Sequence, residues 1–223
     1  MQDVKIERVR LRAANSYLVM GEKTIIVDTG DPGYSEGILK AIKRHHLKKV
    51  DISLIFITHG HVDHFGSVYE LKRKLDVPVV MQENDVPYLV DGVQAPLYPI
   101  NGLAKAIKRI GKDLHVKERY DLVPDYTFDE ELDLQPFGIK GKLLATPGHT
   151  LGSASLVLVD GRAVTGDLLI RKHFLSGEPL APAFLHDFGL FKASMKKLQD
   201  EGVHTYYPGH GKAISKKEIR FAV

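Results

Sequence analysis

Residue types that bind metal ions are concentrated between positions 59 and 64. Residues 58–64 read T-H-G-H-V-D-H and directly follow the apolar run Ile52–Ile57. Imidazole and carboxylate groups are ligands that Zn²⁺ accepts, as do Fe²⁺ and Mn²⁺ to a lesser extent. An ion held by such groups can lower the pKa of water to about 7 and provide hydroxide at neutral pH. The segment therefore predicts a metal site.

The spacing of these ligand-type residues predicts how they divide. If the chain stays extended after the strand, His59 and His61 point to the same side, because side chains in a strand alternate with a period of two. Asp63 and His64 are then expected at a turn, facing in a different direction. One segment could therefore offer two ligands to one ion and two to a neighbouring ion.

Three later segments each place one ligand-type residue after a predicted strand. His149 lies in T-P-G-H-T, Asp167 in T-G-D and His210 in Y-P-G-H-G. Any one of them alone is a weak signal, because P-G-H is typical of turns and T-G-D of helix caps. Their order after the histidine cluster predicts that they converge on the same centre.

Together these motifs resemble the metallo-β-lactamase superfamily. That family has an Asp after an early strand, then H-x-H-x-D-H, then a His, an Asp and a His at successive strand ends. The matching residues here are, in order, Asp28, His59, His61, Asp63, His64, His149, Asp167 and His210. The resemblance implies an α+β fold, a four-layer αββα sandwich, as a single domain over residues 1–223 with the metals at one edge between the two sheets.

The resemblance also implies two divalent ions, for which we expect zinc, with iron or manganese as alternatives. The expected ligands divide as His59, His61 and His149 on one ion, Asp63, His64 and His210 on the other, and Asp167 bridging both. A hydroxide between the ions would attack the substrate. Two residues have expected catalytic roles: Asp63 orients the nucleophile, and Asp28 fixes the orientation of ligand imidazoles.

Three features select among the reactions of this family. Position 61 is His, where the oxygen-reducing diiron branch commonly has Glu, and this favours a hydrolase. Asp167 stands where the antibiotic-degrading lactamases typically have another residue, and this disfavours β-lactam substrates. The chain ends soon after His210, so the C-terminal helical domain of glyoxalase II enzymes is not expected. We expect hydrolysis of an ester, thioester or lactone; a phosphodiesterase or nuclease of the same fold and a mononuclear-iron sulfur dioxygenase are the alternatives.

Apolar periodicity predicts the elements that position these residues. Strands are predicted over residues 4–10, 16–20, 24–27, 52–57, 78–81, 126–134, 140–145, 154–159 and 162–165. Helices are predicted over residues 35–47, from Phe65 onward, and over 188–198, the last capped by Asp187. In this scheme Asp167 comes just after its strand.

Two segments fall outside the minimal pattern. Residues 88–112 carry an apolar stripe at helical spacing, formed by Leu97, Ile100, Leu103, Ala106, Ile107 and Ile110. We predict a helical insertion that narrows the pocket, with Tyr88 or Tyr98 in contact with substrate; cover for the sandwich or an oligomer contact are the alternatives. The loop 173–186 follows Asp167 and offers His173 as a further substrate contact.

The composition is that of an ordinary globular domain, with 43% hydrophobic and 26% charged residues. The net charge is only +3 and the basic residues are scattered, so we expect a small-molecule substrate and no nucleic acid. The chain has no cysteine, no apolar N-terminal segment and no apolar run of bilayer length. We therefore expect a cytoplasmic protein without membrane association. The sequence is compatible with a homodimer.

Overall fold

The computed structural model describes residues 3–110, 122–171, 179–180 and 182–219, and their strands form two sheets. The first sheet contains, in spatial order, β1 (Lys5–Arg10), β2 (Asn15–Met20), β3 (Thr24–Val27), β4 (Ile52–Ile57), β5 (Val79–Gln82) and β6 (Tyr126–Phe128). Strands β1, β2 and β3 pair antiparallel, whereas β3 to β6 pair parallel. The carboxyl ends of β3, β4 and β5 therefore meet at one edge.

The second sheet is mostly antiparallel. Its strands are β7 (Glu131–Asp133), β8 (Gly141–Ala145), β9 (Ala154–Leu158), β10 (Arg162–Arg171), β11 (Pro179–Leu180), β12 (Thr205–His210) and β13 (Ile214–Ser215). They neighbour one another in the order β13-β12-β10-β9-β8-β7, and β11 pairs with β10. Strands β10 and β12 are parallel, so Asp167 and His210 lie toward the same end of this sheet.

The described residues contain six α-helices. They are α1 (Ser35–Arg44), α2 (Val62–Phe65), α3 (Val68–Leu75), α4 (Val86–Asp91), α5 (Gly102–Ile110) and α6 (Phe188–Asp200). Helices α1 and α3 pack on the outer face of the first sheet, and α6 packs on that of the second. The predicted cap of α6 is present, since the Asp187 carboxylate accepts a hydrogen bond from Leu190 N at 2.7 Å. Within the described part of the chain, no helix has the length and apolar character needed to span a bilayer.

Side-chain alternation along the strands builds three apolar layers between the four layers of backbone. In β4, Ile55 and Ile57 pack toward α1 and α3, while Leu54 and Phe56 pack toward the second sheet. On the far side of the second sheet, α6 contributes the core residues Phe191, Met195 and Leu198. This arrangement confirms the predicted αββα sandwich.

Several predicted boundaries are wrong. The strand expected before the Y-P-G-H segment is β12, which includes that segment and ends at His210, and the helix expected over 35–47 ends at Arg44. The strand expected over 126–134 is two strands, β6 and β7, which lie in different sheets because the chain crosses between them at 129–130. The strand expected to end before Asp167 continues to Arg171, with irregular register on either side of Gly166. The helix expected to start near Phe65 is α3, which begins at Val68, and a separate short helix, α2, ends at Phe65. Gly66 between them packs against Pro32, where a Cβ atom would lie 2.4 Å from Pro32 Cδ.

The predicted apolar stripe of residues 88–112 is only partly correct. Helix α5 begins at Gly102, so Leu97 and Ile100 lie before the helix and are not part of its apolar face. Ala106 is exposed and Ala104 is buried instead. The side chains of Leu103, Ile107 and Ile110, and residues 111 and 112, lie outside the described residues.

Candidate metal centre

The residues predicted as ligands come together at one edge of the sandwich. Their elements are the turn after β4 for His59 and His61, α2 for Asp63 and His64, the turn after β8 for His149, β10 for Asp167, and the end of β12 for His210. The predicted turn at positions 63 and 64 is a short helix, which begins directly after His61. Their ligand-type atoms form two groups, His59, His61 and His149 in the first and Asp63, His64 and His210 in the second, and a set that joins them, His59, His64 and Asp167; the members of each lie within 4.8 Å of one another.

The first group consists of three buried imidazoles. His61 Nδ1 lies 3.0 Å from His59 Nε2 and 2.9 Å from His149 Nε2. The three side chains are at most 4% exposed. This group is therefore removed from bulk water.

The second group is more acidic and more open. His210 Nε2 lies 3.4 Å and His64 Nε2 3.8 Å from Asp63 Oδ2. His64 is fully buried, whereas the side chains of Asp63 and His210 are 22% and 31% exposed. The second group therefore forms the solvent side of the site.

The carboxylate of Asp167 faces both groups. Its Oδ2 atom lies 3.7 Å from His149 Nε2 and 3.2 Å from His210 Nε2, and its Oδ1 atom lies 3.5 Å from His64 Nε2. Gly209 makes this packing feasible, because a Cβ atom there would overlap Asp167 Oδ1 and lie 2.5 Å from His64 Cε1. The glycine before His210 is thus required by the packing of the site.

Backbone carbonyl groups fix the orientation of two ligand-type imidazoles. His149 Nδ1 donates to Phe184 O at 2.8 Å, and His210 Nδ1 donates to Ala13 O at 3.0 Å. Because a carbonyl only accepts, the proton of each neutral ring is on Nδ1. Both rings therefore direct Nε2 toward the centre, where the neutral form of each ring can bind a metal ion.

A single buried carboxylate orients two further imidazoles. Asp28 Oδ2 accepts from His64 Nδ1 at 2.8 Å and from Thr58 Oγ1 at 2.9 Å. Since that hydroxyl proton goes to Asp28, Thr58 Oγ1 accepts from His59 Nδ1 at 3.0 Å. Asp28 itself is held by Thr58 N at 2.9 Å and has a left-handed backbone, with φ of 58°. It acts on His64 directly and on His59 through Thr58.

The two groups differ in charge as well as in exposure. Burial, followed by the neighbouring His149, lowers the pKa of His61 to about 3, and burial also lowers the pKa of His59 and His149. These three rings are neutral at pH 7, the form that binds metals. Burial lowers the pKa of His64 as well, but the carboxylates around it, first that of Asp167, outweigh burial and raise it to about 9.

The residues present fit a bound cation. His61 Nδ1 faces two ring nitrogens at once and can donate a proton well to only one of them, so lone pairs face each other without a cation. His64 Nε2 and Asp167 Oδ1 are buried without a hydrogen-bond partner among the described residues. Burying such groups unpaired is costly, and a cation would satisfy both. Nitrogen and carboxylate donors suit zinc or iron.

Comparison with known proteins agrees with this geometry. The sequence model of the Metallo-beta-lactamase superfamily matches residues 9–210. The chain belongs to the metallo-beta-lactamase superfamily. Members of this superfamily bind metal ions, and the histidine-rich site places this chain among its metal-dependent hydrolases.

Two curated superfamily relatives and one solved structure illustrate the similarity. A probable metallo-hydrolase of Methanocaldococcus jannaschii is 26% identical over 214 residues, which cover 94% of this chain and 93% of that protein. An atrochrysone carboxyl ACP thioesterase of Aspergillus chevalieri is 27% identical over 220 residues, 96% of this chain but 56% of that protein. A crystal structure of a protein in a di-iron-bound form has a TM-score of 0.65 and 25% identity, covering 95% of this chain and 94% of that one.

The predicted substrate contacts lie beside the three-imidazole group of this superfamily member. Tyr88 packs on Gly60, where a Cβ atom would lie 2.8 Å from Tyr88 Cδ2. The ring of Tyr98 meets that of His186 edge-on at 4.8 Å between centroids. His173 lies outside the described residues. Tyr88 and Tyr98 thus flank the site, and their contact with substrate stays a prediction.

Sequence reasoning missed the side chains that hold the last ligand segment. Asn15 Nδ2 donates to Pro208 O at 3.0 Å and to Gly211 O at 2.9 Å, and Tyr17 OH donates to Pro208 O at 2.6 Å. Both side chains are buried. The sequence offers one signal for these residues: they are polar side chains in strand β2, whose other residues are mostly apolar. Buried polar groups need hydrogen-bond partners, so such residues are expected to contact another segment.

Proposed function

We propose that the chain is a dinuclear metal-dependent hydrolase that acts on an ester, thioester or lactone. The position of Asp167 carries this proposal, because its carboxylate oxygens lie within 3.7 Å of imidazoles in both groups. A carboxylate placed in this way can bind two cations at once and offset their mutual repulsion. A single ion could also use Asp167 as a ligand, but it would not need this carboxylate to face imidazoles of both groups.

The proposed ligands follow the two groups. They are His59, His61 and His149 for the buried ion, Asp63, His64 and His210 for the solvent-side ion, and Asp167 for both. When bound, the two ions supply Lewis acidity toward a substrate oxygen and hydroxide at neutral pH. Zinc is the proposed metal, and the di-iron form of the solved relative makes iron the alternative.

Two carboxylates support the reaction in different ways. Asp63 lies on the open side, where its oxygens can accept a hydrogen bond from the attacking nucleophile and orient it. Asp28 is 1% exposed and both of its oxygens accept hydrogen bonds from Thr58 or His64, so it is a positioning residue for His64 and His59. Substitution of Asp63 is therefore expected to lower turnover, whereas substitution of Asp28 is expected to weaken metal binding.

Apolar side chains beside the site support an acyl substrate. Tyr98 and Ile100 are 43% and 51% exposed, and their segment is paired with residues 183–185, next to His149. An apolar rim excludes water and strengthens electrostatic interactions inside the site. The named thioesterase relative further supports a thioester as the substrate class.

The direct test is a substrate panel with metal-reconstituted protein. Acyl thioesters, lactones and bis(p-nitrophenyl) phosphate are compared after reconstitution with Zn²⁺, Mn²⁺ or Fe²⁺. The proposal predicts that kcat/KM for an acyl substrate exceeds that for the phosphodiester by about 100-fold, a transition-state difference of roughly 2.7 kcal/mol. The reverse order would establish phosphodiester hydrolysis, and oxidation of a persulfide by protein with one iron would establish the dioxygenase alternative.

A further inference from the structure

A buried carboxylate that does not belong to the ligand set lies behind the three-imidazole group. Asp85 is 1% exposed and lies just after β5. Its Oδ2 atom accepts from Gly60 N at 2.7 Å and from Thr150 Oγ1 at 2.6 Å, and its Oδ1 atom accepts from Gly152 N at 2.9 Å. Both oxygens are therefore used by two other segments of the chain.

These two segments carry the three imidazoles. Gly60 separates His59 from His61, and Thr150 directly follows His149. The first segment is also held from the other side, because Ala95 N donates to Gly60 O at 2.7 Å. One carboxylate thus joins the two loops whose ring nitrogens must meet within about 3 Å to share an ion.

Two glycines pack closely against Asp85. A Cβ atom at Gly152 would lie 2.6 Å from both Cβ and Cγ of Asp85, and one at Gly60 would lie 3.2 Å from its Oδ2 atom. Each loop therefore approaches the carboxylate through a residue without a side chain. Movement of Asp85 would move both loops.

The side chain of Asp85 does not cap the helix that follows it. It occupies the N-cap position of α4, where an aspartate usually accepts a hydrogen bond from the first turn of its own helix. Here its side chain makes no such bond. Its hydrogen bonds go instead to backbone and hydroxyl donors of the ligand loops, so helix capping does not explain the residue.

We propose that Asp85 is a positioning residue that sets the separation of the two ligand loops and thereby the affinity and geometry of the buried metal ion. The inference rests on the proposed function, since it requires that His59, His61 and His149 hold an ion. Asp85 reaches neither these rings nor the substrate and acts through the backbone of both loops.

The test uses two independent substitutions. Asp85→Asn keeps the shape but places an amide group opposite a donor. Thr150→Val removes one of the three bonds to Asp85, together with the bond between the Thr150 and Ser153 hydroxyls, at nearly constant volume, and Thr150→Ser retains the hydroxyl. Zn²⁺ affinity is measured by competition with a chromophoric chelator, and Co²⁺ titration records the visible absorption bands of the metal site.

Asp85→Asn is expected to weaken binding of one ion by about 10–100-fold and to alter its Co²⁺ bands. Thr150→Val has the same effect in smaller degree, and Thr150→Ser restores the spectrum. The kcat value falls while KM stays nearly constant, because Asp85 does not reach the substrate. Asp125→Asn is the matched control: Asp125 accepts from Val79 N at the opposite end of β5, so stability falls without a change in metal affinity.

The outcomes separate this inference from the function on which it rests. If the unmodified protein binds neither Zn²⁺ nor Co²⁺, the proposed function fails and this inference with it. If the unmodified protein binds two ions and Asp85→Asn binds them with unchanged affinity and spectrum, only the inference is overturned. If Asp85→Asn does not fold, the Thr150 pair decides, and identical metal binding by Thr150→Val and Thr150→Ser would overturn it.

Discussion

The orientation of four of the five ligand-type imidazoles, all except His61, is set by atoms that do not point into the centre. The Asp28 carboxylate holds His64, and through Thr58 it holds His59. Phe184 O holds His149 in the same way. A bond at Nδ1 fixes which nitrogen is free for a metal, so these groups decide affinity without being ligands.

Asp28→Asn tests the orienting role at the level of one residue. Asn tolerates the left-handed backbone at this position, so the chain path is retained. Its amide group, however, faces donors from Thr58 and His64, and one donor is left unpaired at a cost of about 1–3 kcal/mol. We expect metal affinity to fall by about 10–100-fold, as measured by chelator competition.

Asp51→Asn is the control for this substitution. The Asp51 carboxylate accepts from Lys48 N in the turn before β4, at the far edge of the sheet. Equal losses of metal affinity in both variants would show that Asp28 has no specific part in the site.

Gly209→Ala tests the close packing behind the shared carboxylate. The added methyl group would overlap Asp167 Oδ1 and press on His64 Cε1. Over-packing of this kind costs about 1–3 kcal/mol of folding stability, and displacement of a reactive group by about 1 Å can cost about 100-fold in rate. Gly102→Ala, which has open space around the new methyl group, is the control and is expected to keep full activity.

Among the elements, those that carry the ligands are the most predictable. A strand interrupted by Gly or Pro leaves a local pattern, and so the ends of β4 and β8 could be predicted from the sequence. The ends of β10 and β12 could not. Gly166 predicts a break in β10 although Leu168 and Leu169 continue the strand, and Pro208 with Gly209 predicts a break in β12 although that strand continues to His210. The local sequence shows the interruption but not the partner strand that keeps the chain extended.

The residues that hold the ligand loops could not be predicted from the local sequence, for a different reason. Asp85 bonds to residues 25 and 67 positions away along the chain. No spacing rule connects such positions, because the contact exists only after β4, β5 and β8 have been brought to the same edge. The position of Asp85 after a parallel strand was the one usable signal, shared with Asp28 and His59.

The segment between α4 and α5 is the element expected to select the substrate. Tyr98 and Ile100 are exposed and adjoin residues 183–185. We expect Tyr98→Ala combined with Ile100→Ser to lower kcat/KM for long acyl chains more than for short ones, by about 10-fold, because each lost apolar contact is worth about 1–3 kcal/mol. Folding stability should change little, since both side chains are exposed.

Val159→Ser is a suitable control, because Val159 is 79% exposed and follows β9 outside the ligand loops. An unchanged preference for chain length in the double variant would assign this segment to cover or to an oligomer contact. The proposal of an acyl substrate would then lose its structural support.

At the scale of the molecule, the sandwich brings two separate sheets to a common edge. The first sheet supplies His59, His61, Asp63 and His64, and the second supplies the remaining ligand-type residues. Bound metal would therefore join the two halves and stabilise the native state by mass action. Chelation is expected to lower Tm, and a Tm independent of metal would contradict a site shared by both sheets.

The number of metal ions per chain tests the central claim most directly. Elemental analysis of the reconstituted, gel-filtered protein, made alongside the hydrolysis assay, should give two ions per chain. Asp167→Ala should retain fewer ions and lose hydrolysis, whereas His204→Ala, whose ring bonds to Asp160 O on the surface, should match the unmodified protein. One ion or none in the unmodified protein, or full turnover by Asp167→Ala with two ions bound, would contradict a dinuclear hydrolase bridged by Asp167.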